Sequence, residues 1–133
     1  MIVVDSNILA YLYLPGNFTA QAEQLLEQDP DWAAPVLWRS EFRNILAGYI
    51  RRGTLTLNQA YALQLEAESL LTAREYEVDS LDVLELVKTS ECSAYDCEFV
   101  ALAKKLGIKL ATMDKKVLRN FPEWAFSIEN LTH

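Results

Sequence analysis

The chain opens with Ile2-Val3-Val4-Asp5-Ser6-Asn7, an apolar β-branched run that ends at three polar residues. Ile and Val favour strands, whereas Asp, Ser and Asn are preferred residues at the amino end of a helix. The apolar segment 8–14 that follows predicts a helix, and Pro15-Gly16 predicts its end. The protein is therefore predicted to begin as a strand followed by a helix, with Asp5 at the carboxyl end of the strand.

The rest of the chain repeats this alternation of helices and short strands. Pro35 is predicted to open a long helix, which Gly53 closes. Helical periodicity predicts helices over 19–28, 36–52, 58–74, 82–88, 93–106 and 115–120. Apolar runs predict strands over 76–78, 108–112 and 124–128. Short strands that alternate with helices and show little period-two patterning indicate an α/β fold, in which helices cover both faces of a parallel sheet.

Size and composition limit the kind of protein. A chain of 133 residues with 51% hydrophobic residues has room for one domain, and we expect it to span residues 1–133. No long charge-free stretch and no basic, apolar leader is present, so we expect a cytoplasmic protein without a membrane segment. The C-x4-C spacing of Cys92 and Cys97 fits neither a zinc knuckle nor a redox pair, and we expect reduced, half-buried thiols. The only histidine is the terminal His133, which excludes a histidine-based catalytic triad.

Two aspartates follow predicted strands. Asp5 follows the first strand, and Asp114 follows strand 108–112 with only Met113 between. Ligands of such sheets bind beyond the carboxyl ends of the strands, so we expect the two carboxylates to be neighbours. Each also has a simpler explanation, because Asp is a favoured N-cap where a strand leads into a helix.

Two further acids are predicted to lie on inward helix faces. Glu41 falls on or beside an apolar stripe, where an ionised group is costly. Either Arg39 or Arg43 could be its ion-pair partner, or the edge of the stripe could leave it hydrated. Asp96 also faces inward, although with Ser93 it forms a capping box at the amino end of its helix.

If the four acids converge on one place, they form a functional site; if they do not, each is explained by its own local role, such as a helix cap. Two unit charges about 4 Å apart repel each other by about 4 kcal/mol at an effective dielectric near 20, so a cluster needs protons or cations. Oxygen ligands without Cys or His favour Mg²⁺ or Mn²⁺. One or two such ions would support hydrolysis of a phosphodiester by in-line attack, which requires no histidine.

Four segments together resemble a PIN domain, and more narrowly the VapC-like toxins of type II toxin–antitoxin pairs. They are Ile2-Val3-Val4-Asp5-Ser6-Asn7, Glu41 within Trp38-Arg39-Ser40-Glu41-Phe42-Arg43-Asn44-Ile45-Leu46, Ala94-Tyr95-Asp96, and Leu110-Ala111-Thr112-Met113-Asp114. The order and separation of the acids match this family over essentially the whole chain. The resemblance implies a three-layer α/β/α fold with a short central parallel sheet of four to five strands.

The resemblance also implies a function. It implies a Mg²⁺- or Mn²⁺-dependent endoribonuclease whose catalytic and metal-binding tetrad is Asp5, Glu41, Asp96 and Asp114. Ser6, Asn7 and Thr112 occupy family positions beside the metal ligands, where they can hold water on the metal. Family members commonly form homodimers and are silenced by a small antitoxin protein. Many PIN proteins act in RNA processing instead, and a binding module without catalysis is a further alternative.

The net charge of −7 requires RNA contacts to be local, because phosphates repel an acidic surface. The candidate cations near the acids are Arg39, Arg43, Lys115 and Lys116, with Arg51, Arg52 and Arg119 as further basic residues; all could equally be ordinary solvated surface. Tyr11, Tyr13 and Trp38 could stack bases, but core packing is the commoner role of aromatics at helical spacing. An aspartate phospho-acceptor domain also begins with a strand and Asp, but this chain lacks the second early acid.

Overall fold

The computed structural model describes residues 1–132, and His133 lies outside the described residues. A five-stranded sheet forms its centre, with strand order β3-β2-β1-β4-β5 and every neighbouring pair parallel. The strands are β1 (Ile2–Val4), β2 (Trp32–Pro35), β3 (Glu75–Tyr76), β4 (Leu110–Ala111) and β5 (Ala125–Phe126). β1 lies at the centre because all three of its residues are apolar and buried.

Eight helices of the described chain surround this sheet. They are α1 (Ser6–Tyr13), α2 (Thr19–Gln28), α3 (Trp38–Arg51), α4 (Leu57–Leu70), α5 (Ser80–Lys88), α6 (Ala94–Leu106), α7 (Lys115–Asn120) and α8 (Ile128–Leu131). α6 packs on β1, β2 and β4 with α5 against it, and α1 packs against α2, α3 and α4. The predicted α/β fold, three layers with a parallel sheet of four to five strands, is confirmed. Within residues 1–132, no helix has the length and apolar character needed to cross a membrane.

Local capping signals place several helix ends where the sequence predicts them. Ser93 caps α6, Gly107 ends it in a left-handed conformation with φ of 67°, and Asp114 caps α7. The prediction for α1 is two residues late. The side chain of Asp5 accepts a hydrogen bond from the Ile8 backbone N–H, so the helix begins at Ser6.

The prediction that Pro35 opens a helix is wrong. Pro35 ends β2, where it lies opposite Tyr76, and the Val36 backbone N–H donates to the Tyr76 carbonyl. The chain therefore stays extended through Pro35, and α3 begins only at Trp38. Proline is tolerated here because the strand ends at this residue.

Pairing between distant strands also shifts the next boundaries. α4 ends at Leu70 and not at Arg74, because Ala73 adopts a left-handed conformation with φ of 68° and the Arg74 carbonyl accepts from the Ala34 N–H. This pairing puts β3 at Glu75–Tyr76, earlier than the predicted strand 76–78. The predicted strand 124–128 is shorter in the structure, because β5 ends at Phe126 and the short helix α8 begins at Ile128.

Cys92 and Cys97 are both free, as predicted, but they are buried, whereas the prediction was half-buried thiols. Burial raises the pKa of each thiol, so both stay protonated at neutral pH. These cysteines are therefore inert core residues.

Candidate active site

A cavity of about 400 Å³ opens beyond the carboxyl end of β1, between α1, α3 and α6. Three of the four predicted acids line it, namely Asp5, Glu41 and Asp96. Asp5 leaves the end of β1, Glu41 lies in the first turn of α3, and Asp96 lies in the first turn of α6. The parallel sheet thus brings together Asp5 and Asp96, which are 91 positions apart in the sequence.

Asp5 is held by two hydrogen bonds at the cavity floor. Its Oδ1 accepts from the Ile8 backbone N–H at 3.0 Å, and its Oδ2 accepts from the Thr112 hydroxyl. Despite these bonds, burial raises the pKa of Asp5 to about 6, and the charges of Glu41 and Asp114 add to the shift. The side chain of Asp5 therefore caps α1 and lines the cavity at the same time, so the cap explanation does not exclude a place in the site.

Glu41 has a partner that the sequence analysis did not foresee. Its Oε1 accepts from the Ser6 hydroxyl at 2.8 Å, and neither Arg39 nor Arg43 forms an ion pair with it within the described chain. Burial raises the pKa of Glu41, and the charges of Asp96 and Glu98 raise it further. The carboxylate is therefore half-buried beside other acids, with one neutral hydrogen-bond donor.

Asp114 stands apart from the other three acids. It does not line the cavity, is exposed, and its Oδ1 accepts from the Val117 backbone N–H at 3.0 Å as the cap of α7. Its backbone N–H donates to the Thr112 hydroxyl at 3.0 Å, which links it to Asp5 through one side chain. The charge of Asp114 still raises the pKa of Asp5. Asp114 is thus an electrostatic neighbour of Asp5 that lies outside the cavity lining.

The predicted polar neighbours of the acids are in place. Ser6, Asn7 and Thr112 all line the cavity, and Ser6 and Thr112 are buried with their hydroxyls on carboxylates. Sequence reasoning missed Asn44 and Tyr95, which also line it. Asn44 lies three residues after Glu41, so helical spacing was a usable signal, and Tyr95 directly precedes Asp96.

The donor set decides which metal could fit. Every polar side-chain group that lines the cavity offers oxygen, except the amide nitrogens of Asn7 and Asn44; neither thiol lines it. Within residues 1–132, no three His, Cys, Asp or Glu side chains are grouped closely enough to form a ready metal site. Mg²⁺ and Mn²⁺ fit this setting better than Zn²⁺, because they keep several waters and need only one or two carboxylates.

The predicted RNA-binding cations are placed differently from one another. Arg43, Lys115 and Lys116 are exposed. Arg39 instead donates through Nε and Nη2 to both oxygens of Glu75, at 2.6 and 2.7 Å, and through Nη1 to Glu68 at 3.1 Å. Arg39 therefore joins α3 to α4 and β3 through ion pairs, unlike the other predicted cations, and its contact with RNA stays a prediction.

Replacing Arg39 is expected to cost stability. Arg39→Gln removes paired, charge-assisted hydrogen bonds and leaves two carboxylates without a cation, so we expect a loss of about 1–3 kcal/mol in the free energy of unfolding. Arg43→Gln on the exposed face of the same helix is the matched control, with an expected change within about 0.5 kcal/mol. Urea unfolding of both variants measures the difference, and equal stability would contradict the role given to Arg39.

Comparisons with known proteins agree on one family. The family model described as "PIN domain" matches residues 2–123. The chain is 32% identical to Ribonuclease VapC3 of Pyrobaculum aerophilum over 124 residues, which cover 91% of this chain and 95% of that protein.

Solved structures share the fold. The crystal structure of PAE2754 from Pyrobaculum aerophilum superposes with a TM-score of 0.77 at 23% identity, covering 98% of this chain and 92% of that chain. A toxin–antitoxin complex from Klebsiella pneumoniae gives a TM-score of 0.69 at 17% identity, with 96% and 98% covered. At these identities the likeness concerns the fold alone.

Proposed function

Because this chain belongs to the PIN domain family, we propose that it is a metal-dependent endoribonuclease and the toxin of a type II toxin–antitoxin pair. The observation that carries the proposal is the meeting of Asp5, Glu41 and Asp96 in one cavity, where burial raises the pKa of two of them. Such carboxylates are costly to keep ionised unless a cation is bound beside them. A metal-dependent nuclease uses carboxylates of this kind to bind its metal ion. The 32% identity to a protein named Ribonuclease VapC3 supports the same activity.

We propose that Asp5, Glu41 and Asp96 surround a site for Mg²⁺ or Mn²⁺ in which one or two of the carboxylates bind the ion directly, with Asp114 contributing negative charge from outside the cavity lining. When bound, the metal would polarise the scissile phosphate and make water a stronger nucleophile. The hydroxyls of Thr112 and Ser6 orient the carboxylates of Asp5 and Glu41 by donating to them.

Other groups of the cavity act on the substrate and on water. The side-chain amides of Asn7 and Asn44 offer N–H donors to phosphate oxygens at the cavity wall. Apolar side chains of the cavity, among them Ile45, Phe99 and Val117, lower the local polarity and so strengthen electrostatic interactions with the phosphate. The exposed Arg43, Lys115 and Lys116 remain our proposed contacts to the RNA backbone.

We further propose a small antitoxin partner and a homodimer, with residues 1–133 forming one PIN-like domain. The Klebsiella pneumoniae structure with the same fold is described as a toxin–antitoxin complex, which supports the partner. A stripe of exposed apolar residues on α4, Leu57, Tyr61 and Leu65, offers a surface for a protein to cover, with 72%, 61% and 46% of these residues accessible. The stripe follows helical spacing of four residues, as expected for one face of a helix.

RNA cleavage by the purified protein tests the proposal. We expect cleavage of cellular RNA in Mg²⁺ or Mn²⁺, complete loss in a chelator, and recovery when Mg²⁺ is restored. Sequencing of the new RNA ends identifies the cleaved bonds. Cleavage that continues in the chelator, or no cleavage of any RNA with either ion, would refute the proposed function.

A further inference from the structure

A groove of about 290 Å³ extends from the acidic cavity between α1, α3 and the segment 15–19. We name it the aromatic groove, after Tyr11, Phe18 and Tyr49, whose rings line it. Asn7 and Ile45 line both the groove and the acidic cavity, so the two spaces adjoin. A polymer whose scissile bond lies at the acids can therefore continue into this groove.

The three rings of the aromatic groove are only partly buried. Tyr11 and Phe18 lie with ring centroids 5.0 Å apart, and the guanidinium of Arg52 lies 4.5 Å from the centroid of the Tyr49 ring. Trp38, by contrast, is fully buried in the core. The groove thus has aromatic surface that is not buried in the core.

The charge around the aromatic groove differs from that of the rest of the molecule. The chain has a net charge of −7, yet no carboxylate occurs among the described residues that line this groove. A different pocket, which shares Leu37 with the acidic cavity, is lined by Glu77 and Glu98. These carboxylates make that pocket unfavourable to phosphates. Arg52 does not itself line the aromatic groove, but its guanidinium carries a positive charge next to the ring of Tyr49, which does. A polyanion that leaves the acidic cavity therefore meets less repulsion here.

Helix spacing relates the groove to the catalytic acids. Glu41, Ile45 and Tyr49 succeed each other at four-residue intervals on one face of α3. At 1.5 Å per residue, Tyr49 lies about 12 Å along the helix from Glu41. This separation suits nucleotides that adjoin the scissile bond.

We propose that the aromatic groove is a substrate subsite that stacks a base of single-stranded RNA adjoining the scissile phosphodiester, with Arg52 attracting the RNA backbone. Stacking on aromatic rings beside a cation is a general way to bind unpaired nucleotides. The inference rests on the proposed ribonuclease function and adds to it a binding site for the substrate. The aromatic groove adjoins the acidic cavity but has no carboxylate in its own lining. Both features favour RNA over a protein segment as the occupant.

Substitution of Tyr49 tests this subsite. Tyr49→Leu removes the ring but keeps apolar volume, and we expect KM for RNA to rise about 5- to 100-fold with kcat nearly unchanged. Tyr49→Phe keeps the ring and is expected to behave as wild type. Phe126→Leu is the matched control, because Phe126 is also a partly exposed ring beside a cation, with Lys109 Nζ 5.0 Å from its centroid, and lines neither the aromatic groove nor the acidic cavity. Thermal unfolding of each variant verifies that the fold is retained.

An abasic substrate isolates the stacking contact. Once a cleaved bond is mapped, oligonucleotides that lack one base on either side of it are compared in wild type and Tyr49→Leu. We expect the rise in KM to disappear for the oligonucleotide that lacks the stacked base, as in a double-mutant cycle. An equal rise for every substrate would overturn the stacking role.

The outcomes separate this inference from the proposed function. If wild type cleaves RNA and Tyr49→Leu has the same KM, the subsite is refuted while the nuclease stands. If wild type cleaves nothing, the nuclease is refuted, and fluorescence anisotropy with labelled oligoadenylate and oligouridylate of about 12 nucleotides still tests the groove. Weaker binding by Tyr49→Leu than by Phe126→Leu supports the subsite, and equal binding refutes it. An effect confined to binding of a protein partner also refutes it.

Discussion

Asp5→Asn is expected to abolish RNA cleavage, with a loss of more than about 100-fold in kcat/KM. Residues that merely support metal ligands cost about 10- to 100-fold when they are replaced, and Asp5 is proposed to hold the metal itself. The effect is expected to be the largest of any single substitution because Asp5 lies at the end of the central strand and is linked electrostatically to Glu41 and Asp114.

The fold should survive this substitution. The side-chain oxygen of Asn can still accept from the Ile8 backbone N–H, so the cap of α1 is kept. Removing the charge of Asp5 also removes its repulsion with neighbouring carboxylates, so the melting temperature should stay level or rise. Circular dichroism and thermal unfolding verify this, alongside the cleavage assay.

Two further variants complete the experiment. Asp96→Asn is expected to abolish cleavage in the same way, since Asp96 lines the same cavity. Asp82→Asn is the control, because Asp82 is an exposed acid in the first turn of α5, as Asp96 is an acid in the first turn of α6. Full cleavage by both Asp5→Asn and Asp96→Asn would end the assignment of these residues as catalytic.

The stability of the metal-free protein is expected to depend on pH through Asp5. Burial raises the pKa of this carboxyl from 3.8 to about 6 in the folded state. The folded protein therefore holds the proton more tightly than the unfolded chain, and ionised Asp5 destabilises the fold. This cost is fully present above about pH 6 and disappears as the pH falls towards about 4.

The size of this effect follows from the shift. A rise of about two pKa units corresponds to about 3 kcal/mol at neutral pH. In a chelating buffer, Asp5→Asn should thus be more stable than wild type by up to about 3 kcal/mol at pH 7, and the difference should vanish near pH 4. Taking this difference removes the common contributions of groups elsewhere, such as Glu75, whose pKa is lowered by Arg39.

Urea unfolding of both proteins across this pH range measures the difference. A constant difference in the free energy of unfolding would contradict the buried, charge-coupled state of Asp5. At neutral pH, added Mg²⁺ should stabilise wild type, by about 2.7 kcal/mol at one hundred times its Kd, and have little effect on Asp5→Asn.

The candidate site was partly predictable because its acids obey local rules. Asp5 and Asp114 could be recognised as residues that follow strands, and Asp96 as an acid in a first helical turn. Their partners could not be found in this way. The hydroxyls of Ser6 and Thr112 lie 35 and 107 positions away from the carboxylates they contact, so only folding could identify these pairs.

Arg39 and Tyr11 are two residues whose surroundings the sequence did not predict. Arg39 lies two positions before Glu41 in the sequence, but the backbone of α3 directs its side chain to Glu75, which is 36 positions away. Tyr11 has the spacing of a core aromatic, yet it lines a groove because the segment 15–19 and α3 leave space beside it. Sequence neighbours share a location, but the direction of each side chain depends on elements that pack against it.

By itself the sequence determined the α/β class, the central strand Ile2–Val4, the caps of α6 and α7, and the order of the four acids. These features depend on hydrogen bonds and side-chain preferences within about four residues, which the sequence displays directly. Only the tertiary structure decided that Pro35 ends a strand, that Asp114 does not line the acidic cavity, and that the aromatic groove adjoins this cavity. Those outcomes depend on the pairing of strands and the packing of helices far apart in the chain, and no local pattern specifies which distant surface a residue will meet.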